Sequence, residues 1–194
     1  MAQDSSKADF WESRYRDNVI PWDAGKVPAS LHGYAATLPP HAHILIPGCG
    51  SAYEAAYLAR SGFDVLAIDF SPAAIAAAQK TLAGLGNIVR LADFFEFDFG
   101  QPFDVIYERA FLCALPRKMW DRYAERSAQL IKPGGMMAGF FFFAETPKGP
   151  PFGTSGPELE ALLGRWFVRT DEQAVADSIA VFAGKERWMV WRRR

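Results

Sequence analysis

The sequence predicts a single-domain, doubly wound α/β fold with a seven-stranded, mostly parallel sheet and an N-terminal helical cap. Seven apolar runs of strand length follow residue 40, and helical patterns separate most of them. No internal repeat or linker divides the 194 residues, of which 50% are hydrophobic, so one core is expected. Strands that alternate with helices form parallel sheets through right-handed crossovers. We therefore expect a cap over residues 1–40 and a core over residues 41–194.

The elements of this fold follow from local patterns along the chain. The expected strands are residues 44–46, 63–68, 88–91, 103–107, 136–143, 166–170 and 187–191, and the expected helices are 53–60, 72–83, one that begins at 116, and 158–163. Ser71 is a suitable N-cap, and Pro72 fits the first position of the second helix. The turn at 133–135 predicts a stop before the fifth strand. The unbroken run of phenylalanine at 140–143 predicts that this strand is central and parallel, with both faces covered.

Composition and charge exclude several classes of partner. The net charge of −1 gives no attraction to nucleic acid or to an anionic membrane, and the arginines at 192–194 indicate a solvated chain end. Cys49 and Cys113 suit buried packing and indicate neither a disulfide framework nor a nucleophile. Residues 1–9 lack the apolar core of a signal peptide, and the apolar run at 136–144 is shorter than a membrane helix. We expect a cytoplasmic protein that uses no metal, with its oligomeric state left open.

A glycine turn after the first strand is the strongest functional signal in the chain. Gly48, Cys49 and Gly50 follow a buried strand, and Asp69 ends the next strand 21 positions after Gly48. Such glycines let a ligand approach the backbone, and an acid about 20 residues further on can bind ribose hydroxyls. A dinucleotide turn also needs a third glycine for close helix–strand packing, but Tyr53 stands there. The turn therefore favours a different nucleoside cofactor, and S-adenosylmethionine suits it.

Further polar and aromatic residues follow the third and fourth strands. Asp93 and Phe94 come after the third strand, and Glu108 and Arg109 come after the fourth. Open α/β sheets bind ligands at these carboxyl ends. Asp69 can accept two hydrogen bonds from a ribose diol, Asp93 can accept one from the adenine amino group, and Phe94 can pack on the adenine ring. The alternatives are a helix-capping or solvated acid at Asp69 and a surface loop acid at Asp93.

Motifs along most of the chain carry a family resemblance. They are residues 10–12, 15, 19–25 with 28, 47–50, 93–95, 108–116, 132–135 and 149–152. These segments resemble the thiopurine S-methyltransferase family of class I S-adenosylmethionine-dependent methyltransferases, and its plant halide and thiol methyltransferases are the most similar. The resemblance runs from residue 10 to about residue 155. Its cap motif at 21–25, together with Pro-Gly-Cys-Gly at 47–50, is specific, whereas Lys-Pro-Gly-Gly at 132–135 is common to most class I enzymes.

The resemblance implies that N-terminal aromatic residues close over the cofactor. Trp11, Tyr15 and Trp22 would lie beside the methionine and sulfonium groups, where an aromatic face attracts the cation. The plant enzymes carry tryptophan in place of Tyr15, and Arg109 matches an arginine of the bacterial thiopurine-type enzymes. Ala52 replaces the third glycine of Gly-x-Gly-x-Gly, and alanine needs little extra room. The expected cofactor-site residues are Trp11, Tyr15, Trp22, Gly48, Cys49, Gly50, Asp69, Phe70, Ser71, Asp93, Phe94, Glu108 and Arg109.

The expected reaction is methyl transfer from S-adenosylmethionine to a small soft nucleophile, with S-adenosylhomocysteine as product. In-line displacement requires mainly that the protein orient and dehydrate the reactants. A thiol, sulfide, halide or thiocyanate needs no strong base, and no base is identified, because all three histidines precede the glycine turn. Arg109 could position an anionic acceptor, hold the cofactor carboxylate or pair with Glu108, and a cofactor-site role is favoured. Phe152, from the loop at 145–157 that is rich in Pro, Gly, Ser and Thr, is expected to position this small-molecule acceptor as a wall of its pocket.

Three other functions stay open on the sequence alone. The acceptor could be a bulkier heteroaromatic thiol or an oxygen or nitrogen nucleophile. The protein could also bind S-adenosylmethionine without catalysis. A nicotinamide-dependent oxidoreductase is the third alternative, and Tyr53 in place of the third glycine argues against it.

Overall fold

Seven strands form one mixed sheet in this computed structural model, which describes residues 4–146 and 148–194. They are β1 (His43–Pro47), β2 (Asp64–Asp69), β3 (Val89–Leu91), β4 (Phe103–Arg109), β5 (Ile131–Phe142), β6 (Phe167–Ala174) and β7 (Glu186–Arg193). The strand order is β3-β2-β1-β4-β5-β7-β6. This sheet confirms the α/β class and the number of strands. The first three residues of the predicted cap, and residue 147 of the predicted loop, lie outside the described residues.

Six α-helices occur in the described residues, and four of them lie between strands. They are α1 (Ala8–Arg16), α2 (Ala29–Ala35), α3 (Tyr53–Arg60), α4 (Pro72–Thr81), α5 (Trp120–Leu130) and α6 (Gly156–Leu163). The two helices before β1 are those of the predicted cap. Ser71 is the N-cap of α4, and its side chain accepts a hydrogen bond from the Ala74 amide, as the sequence predicts.

The chain divides into two compact units, which meet in sequence between Asp98 and Phe99. In the first unit, β1 pairs with β2 and β2 with β3, and both pairs are parallel. The carboxyl ends of β1 and β2 therefore lie at the same edge of the sheet. This edge carries the glycine turn after Pro47 and the acid at Asp69.

The second unit contains the strand that the phenylalanine run predicts to be central. β5 pairs in parallel with β4 and in antiparallel fashion with β7, and β6 pairs in antiparallel fashion with β7. Phe140, Phe141 and Phe142 are buried, so both faces of the strand are covered as expected. The expectation of a parallel strand holds only on the β4 side.

Most element boundaries differ from the sequence-based expectation by a few residues, and the starts of β5 and α5 are among those that differ most. The turn at 133–135 was expected to precede β5, but the strand already begins at Ile131, and the register of the β4–β5 ladder shifts between Phe103 and Val105 to take up the extra residues. The helix expected from Pro116 begins as a 3₁₀ turn over Arg117–Met119 and becomes α-helical only at Trp120. Within the described residues, no helix has the length and apolar character needed to cross a membrane.

Candidate functional site

Asp69 joins two turns of the first unit through its carboxylate. Its Oδ2 accepts a hydrogen bond from the Gly50 amide at 3.1 Å, and its Oδ1 accepts one from the Ser71 amide at 3.0 Å. Burial raises the pKa of Asp69 to about 6, although the amides of Ser71, Gly50 and Phe70 offset part of that effect. The carboxylate is therefore desolvated and positioned at the end of β2, where the sequence predicts a ribose ligand.

The glycine turn uses left-handed backbone at every second residue. The φ angles of Gly48, Gly50 and Ala52 are +59°, +50° and +59°. Ala52 does fit in the available space, but an alanine in this conformation carries a penalty of roughly 1 kcal/mol that glycine avoids. The Cys49 amide donates to the Ile68 carbonyl oxygen at 2.9 Å. Burial, with the nearby Asp69, raises the pKa of the Cys49 thiol well above its usual value, which suits an inert packing residue.

Three aromatic residues of the predicted cap lie together beside this turn. The Tyr15 hydroxyl lies against the Cα of Gly50, so closely that a side chain at Gly50 would collide with it. Trp22 contacts Trp11 edge-on at a centroid distance of 5.2 Å, and it contacts Tyr15 at 6.2 Å. Burial and then the charge of Asp69 raise the pKa of Tyr15 well above its usual value, so the hydroxyl stays protonated. The three residues thus form one half-buried aromatic cluster next to Asp69 and the glycine turn.

Two acids of the N-terminal segment also reach these turns, although neither was predicted as a site residue. Glu12 Oε2 accepts hydrogen bonds from the Ser71 hydroxyl and from the Ala73 amide, both at 2.8 Å. The Asp23 carboxylate accepts a hydrogen bond from the Ser51 hydroxyl. Both acids lie within the motifs of the family resemblance, and that position was the one signal that could have identified them.

The other predicted residues of the first unit differ in exposure. Asp93 is exposed, and its Oδ1 accepts a hydrogen bond from the Phe95 amide at 2.8 Å. Phe94 is buried and contacts Phe95 edge-on, whereas Phe70 is half-buried next to Asp69. An adenine role for Asp93 and Phe94 remains a prediction.

In the second unit, Glu108 is buried and binds groups of its own chain. Its carboxylate accepts hydrogen bonds from the Phe111 amide at 2.8 Å, the Leu112 amide at 3.2 Å and the Tyr123 hydroxyl at 2.7 Å. Burial raises the pKa of Glu108 to about 7, against the effect of these donors. The carboxylate thereby fixes the turn that follows β4, and its cofactor role remains a prediction.

Arg109 ends β4 beside an aromatic ring and near a buried acid. Its guanidinium carbon lies 4.7 Å from the centroid of the Phe140 ring. Burial raises the pKa of Glu186, and the positive charge of Arg109 opposes part of that rise. Sequence analysis missed Glu186. It begins β7, and because β7 is antiparallel to β5, it pairs with Phe142 at the carboxyl end of β5.

The predicted acceptor loop is fixed within the second unit by several hydrogen bonds. The Phe152 amide donates to the Cys113 carbonyl oxygen at 2.7 Å, and the Gly153 amide donates to the Thr146 hydroxyl at 2.8 Å. The Arg117 guanidinium also binds the Gly153 carbonyl oxygen. The half-buried Phe152 is thus held at the turn that follows β4, and its role as a wall of the acceptor pocket remains a prediction.

The donors and acceptors of the first unit fit a ribosyl cofactor. A carboxylate can accept about four hydrogen bonds, so Asp69 retains capacity for a sugar hydroxyl besides its backbone amides. Among the described residues, no three His, Cys, Asp or Glu side chains are grouped as a metal site requires. A shallow groove of about 300 Å³, with Lys26, Tyr57 and Arg60 in its wall, is lined by none of the predicted site residues.

Over most of its length the chain is similar to one protein family and to several of its members. The model of the thiopurine S-methyltransferase family matches residues 6–194. A probable thiol methyltransferase 2 of Arabidopsis thaliana is 31% identical over 169 residues, which cover 84% of this chain and 74% of the relative. A thiocyanate methyltransferase 1 of Brassica oleracea is 27% identical, with coverage of 94% and 84%. A thiopurine S-methyltransferase of Xanthomonas campestris pv. campestris (strain 8004) is 30% identical, with coverage of 83% and 84%.

Solved structures share the fold at lower identity. The 1,6-didemethyltoxoflavin-N1-methyltransferase of Burkholderia thailandensis, with bound S-adenosylhomocysteine, aligns with a TM-score of 0.73 and 23% identity over 96% of this chain and 86% of its own. The magnesium protoporphyrin IX methyltransferase of Synechocystis PCC 6803 aligns with a TM-score of 0.74 and 16% identity, over 96% and 97%. These likenesses support the fold that the sheet order shows.

Proposed function

Because this chain belongs to the thiopurine S-methyltransferase family and is an S-adenosylmethionine-dependent methyltransferase, we propose that it methylates a small soft nucleophile. The acceptor class comprises thiols, sulfide, thiocyanate and halides. The observation that carries the proposal is the Asp69 carboxylate, which joins the glycine turn to the start of α4 beside three aromatic residues. Bound S-adenosylmethionine supplies an activated methyl group on a positively charged sulfur.

On the cofactor side, the chain supplies a hydrogen-bond acceptor and aromatic faces. Asp69 accepts from the ribose, and Gly48 leaves room for the amino-acid end, while Gly50 admits the Tyr15 hydroxyl beside it. The rings of Trp11 and Trp22 stabilise the sulfonium charge by a cation–π interaction and exclude water. Cys49, Phe70 and Ser71 shape the same turns, while Asp93 and Phe94 bind the adenine.

On the acceptor side, the proposed residues are Arg109 and Phe152. The Arg109 guanidinium attracts an anionic acceptor, and Phe152 supplies an apolar wall that removes water from it. A lone pair of the acceptor forms the new bond to the methyl carbon while the bond from that carbon to the sulfonium sulfur breaks. A thiol near pKa 8.5 is already a few per cent ionised at neutral pH, so no base is required.

The names of the relatives support a soft acceptor and leave its size as the point to test. Two plant relatives are named as thiol and thiocyanate methyltransferases, which favours a small acceptor. The bacterial relatives named thiopurine S-methyltransferases favour a heteroaromatic thiol as the second candidate. We further propose that residues 1–40 act as a cap on the core formed by 41–194, and that the enzyme works in the cytoplasm without a nucleic-acid partner.

Calorimetric titration and product analysis test this proposal together. The purified protein is titrated with S-adenosylmethionine, S-adenosylhomocysteine and NAD. It is then incubated with S-adenosylmethionine and hydrosulfide, thiocyanate, iodide, an aryl thiol or a heteroaromatic thiol, and the products are measured by headspace gas chromatography or liquid chromatography with mass spectrometry. We expect binding of both adenosyl compounds and methylation of the small acceptors. Binding without turnover would leave a cofactor-binding module, and exclusive turnover of the heteroaromatic thiol would replace the acceptor class.

A further inference from the structure

Glu12 links the helix that carries the aromatic residues to the turn that carries Asp69. Its Oε2 accepts hydrogen bonds from the Ser71 hydroxyl and the Ala73 amide, both at 2.8 Å. Glu12 and Ser71 are 59 positions apart in the sequence, so this is a tertiary contact. No step of the proposed reaction uses the Glu12 carboxylate, and its place in the structure requires another explanation.

The carboxylate completes the N-terminus of α4. The first amides of a helix have no partner within the helix. In α4, Pro72 has no amide hydrogen, the Ala74 amide donates to Ser71 Oγ at 3.2 Å, and the Ala73 amide donates to Glu12. A negative charge at a helix N-terminus is also favoured by the helix dipole. Glu12 therefore supplies from α1 an acceptor that α4 lacks.

Glu12 is ionised at neutral pH. Its pKa is lowered chiefly by the Ala73 amide, next by the Ser71 hydroxyl and further by Arg16, while burial acts in the opposite direction. Arg16 pairs with Oε1 at 2.9 Å but is 71% exposed, so the contacts of Oε2 are the ones that join the two elements. Hydrogen bonds to an ionised acceptor are the stronger kind.

Through these contacts the position of α1 is tied to the cofactor turn. The Ser71 amide donates to Asp69, and Asp69 in turn accepts from the Gly50 amide. Tyr15 lies three residues after Glu12, on the same side of α1, and its hydroxyl lies against Gly50. One continuous set of contacts thus runs from Glu12 to Gly50 and returns to α1 through Tyr15.

We propose that Glu12 is a positioning residue that holds α1, with its aromatic side chains, in register with the Asp69 turn and so prepares the protein to bind its cofactor. This inference rests on the proposed function. Without the Glu12 carboxylate, α1 would still pack through Phe10, which is buried, but its register relative to Ser71 and Gly50 would be free to change. The cap would then open more often, and part of the free energy of cofactor binding would be needed to return α1 to its position beside the Asp69 turn.

Three variants test the proposal: Glu12→Ala, Glu12→Gln and Arg16→Ala. Glu12→Ala should raise both the Kd and the KM for S-adenosylmethionine by about 10-fold or more, with kcat at saturating cofactor nearly unchanged. Hydrogen exchange in a peptide that spans α1 should become faster. Glu12→Gln keeps a carbonyl oxygen that can accept from Ala73, and it should recover most of the lost affinity. Arg16→Ala removes the exposed ion pair but leaves both Oε2 contacts, so it should behave as wild type.

The possible results separate this inference from the proposed function. A Glu12→Ala variant with wild-type Kd and wild-type exchange in α1 would overturn the inference, as would a Glu12→Gln variant that recovers nothing. If Arg16→Ala bound S-adenosylmethionine as weakly as Glu12→Ala does, the loss of affinity would be due to the ion pair, and the inference would be wrong. If the wild-type protein itself binds no S-adenosylmethionine, the proposed function fails, and hydrogen exchange alone then decides whether Glu12 holds α1.

Discussion

At the scale of single residues, two buried carboxylates, Asp69 and Glu108, differ in how much of their hydrogen-bonding capacity the protein itself uses. Asp69 is tied to two turns but retains hydrogen-bonding capacity, whereas Glu108 receives three donors from its own unit. Burial raises the pKa of both groups, to about 6 and about 7. Most proteins stay folded at about pH 6 to 7, so the ionisation of each carboxylate can be followed in the folded protein. Each carboxylate therefore gives a pH dependence that can be measured.

Cofactor affinity should depend on the ionisation of Asp69. Ribose hydroxyls donate to the ionised carboxylate, so affinity for S-adenosylmethionine should rise as the pH increases through about 6. Asp69→Ala should weaken binding at pH 8 by roughly 1–3 kcal/mol and remove this pH dependence. Isothermal titration between pH 5 and pH 8 measures both effects. The exposed Asp64→Ala is the control, and an unchanged dissociation constant for Asp69→Ala would exclude Asp69 from the site.

Glu108 should make the folded protein less stable as the pH rises. Its pKa in the folded state, about 7, lies above the unfolded value of 4.5, so the folded state holds more protons between these two values. Its contribution to stability is complete below the unfolded value and is lost as the pH rises through the folded value, by roughly 3 kcal/mol in total. Denaturant unfolding should therefore show that the free energy of unfolding of wild type, relative to that of Glu108→Gln, is lower at pH 8 than at pH 5. The exposed Glu125→Gln should give the same difference from wild type at both values, and a pH-independent gap for Glu108→Gln would contradict the prediction.

At the scale of elements, the close approach of β4 and β5 determines where the residues at the end of β4 lie. Gly139 pairs with Glu108 in this ladder, and a Cβ at Gly139 would overlap the Glu108 carbonyl oxygen. The glycine is required by space, since its φ is not in the left-handed region. The same register places Arg109 opposite Phe140, which explains the contact between the guanidinium and the ring.

Gly139→Ala should therefore lower stability by roughly 1–3 kcal/mol, because the two strands must separate to admit the methyl group. Gly33→Ala is the matched control, since Gly33 lies exposed in α2 with nothing within 4 Å of an added Cβ. That substitution should be neutral or stabilising by up to about 1 kcal/mol. Thermal and denaturant unfolding of the two variants provide the comparison, and equal stabilities would argue against a tight ladder at this point.

The acceptor loop depends on a second element-scale contact. The Arg117 guanidinium binds the Glu158 carboxylate of α6 and the Gly153 carbonyl oxygen next to Phe152. Arg117→Ala should release this loop and raise the KM for the acceptor by about 10-fold, the scale of a lost charged hydrogen bond, while the Kd for S-adenosylmethionine stays unchanged. Steady-state kinetics with a thiol acceptor test this. Lys118→Ala is the control, because Lys118 is adjacent and exposed. A change in the Kd for S-adenosylmethionine without a change in the KM for the acceptor would show that the loop contributes to cofactor binding instead.

At the scale of the whole molecule, the sequence predicted what local patterns determine. Runs of strand length located all seven strands, although β3 and β6 are mostly exposed, and the Ser71-Pro72 signal located the start of α4. The glycine turn and Asp69 were predicted to act together, and the structure joins them by a hydrogen bond at 3.1 Å. The start of β5 was missed, because a Pro-Gly-Gly turn usually ends an element, whereas here a register shift in the β4–β5 pairing accommodates the extra residues of β5.

Glu12, Asp23 and Glu186 could not be predicted from the sequence for one common physical reason. Glu12 binds a partner 59 positions away, and Asp23 binds one 28 positions away. Glu186 depends on β7 being antiparallel. Neither helical nor strand periodicity contains information about such pairs, because periodicity reports which face of an element is buried and not which element covers it. The individual roles of the cofactor and acceptor residues, and the boundary of the cap, remain predictions.

The antiparallel course of β7 has a practical consequence for handling the enzyme. The strand starts beside the end of β5 and returns toward its beginning, where Arg192 pairs with Met136 and the Arg194 amide bonds to the Trp166 carbonyl oxygen at 3.0 Å. A fusion partner or an affinity support joined after Arg194 would thus project from the side of β5 remote from Arg109. Immobilisation through a group attached after Arg194 should leave the proposed acceptor residue Arg109 unobstructed, whereas attachment near Ser5, whose carbonyl oxygen accepts a hydrogen bond from the indole N–H of Trp11, would disturb the aromatic cluster.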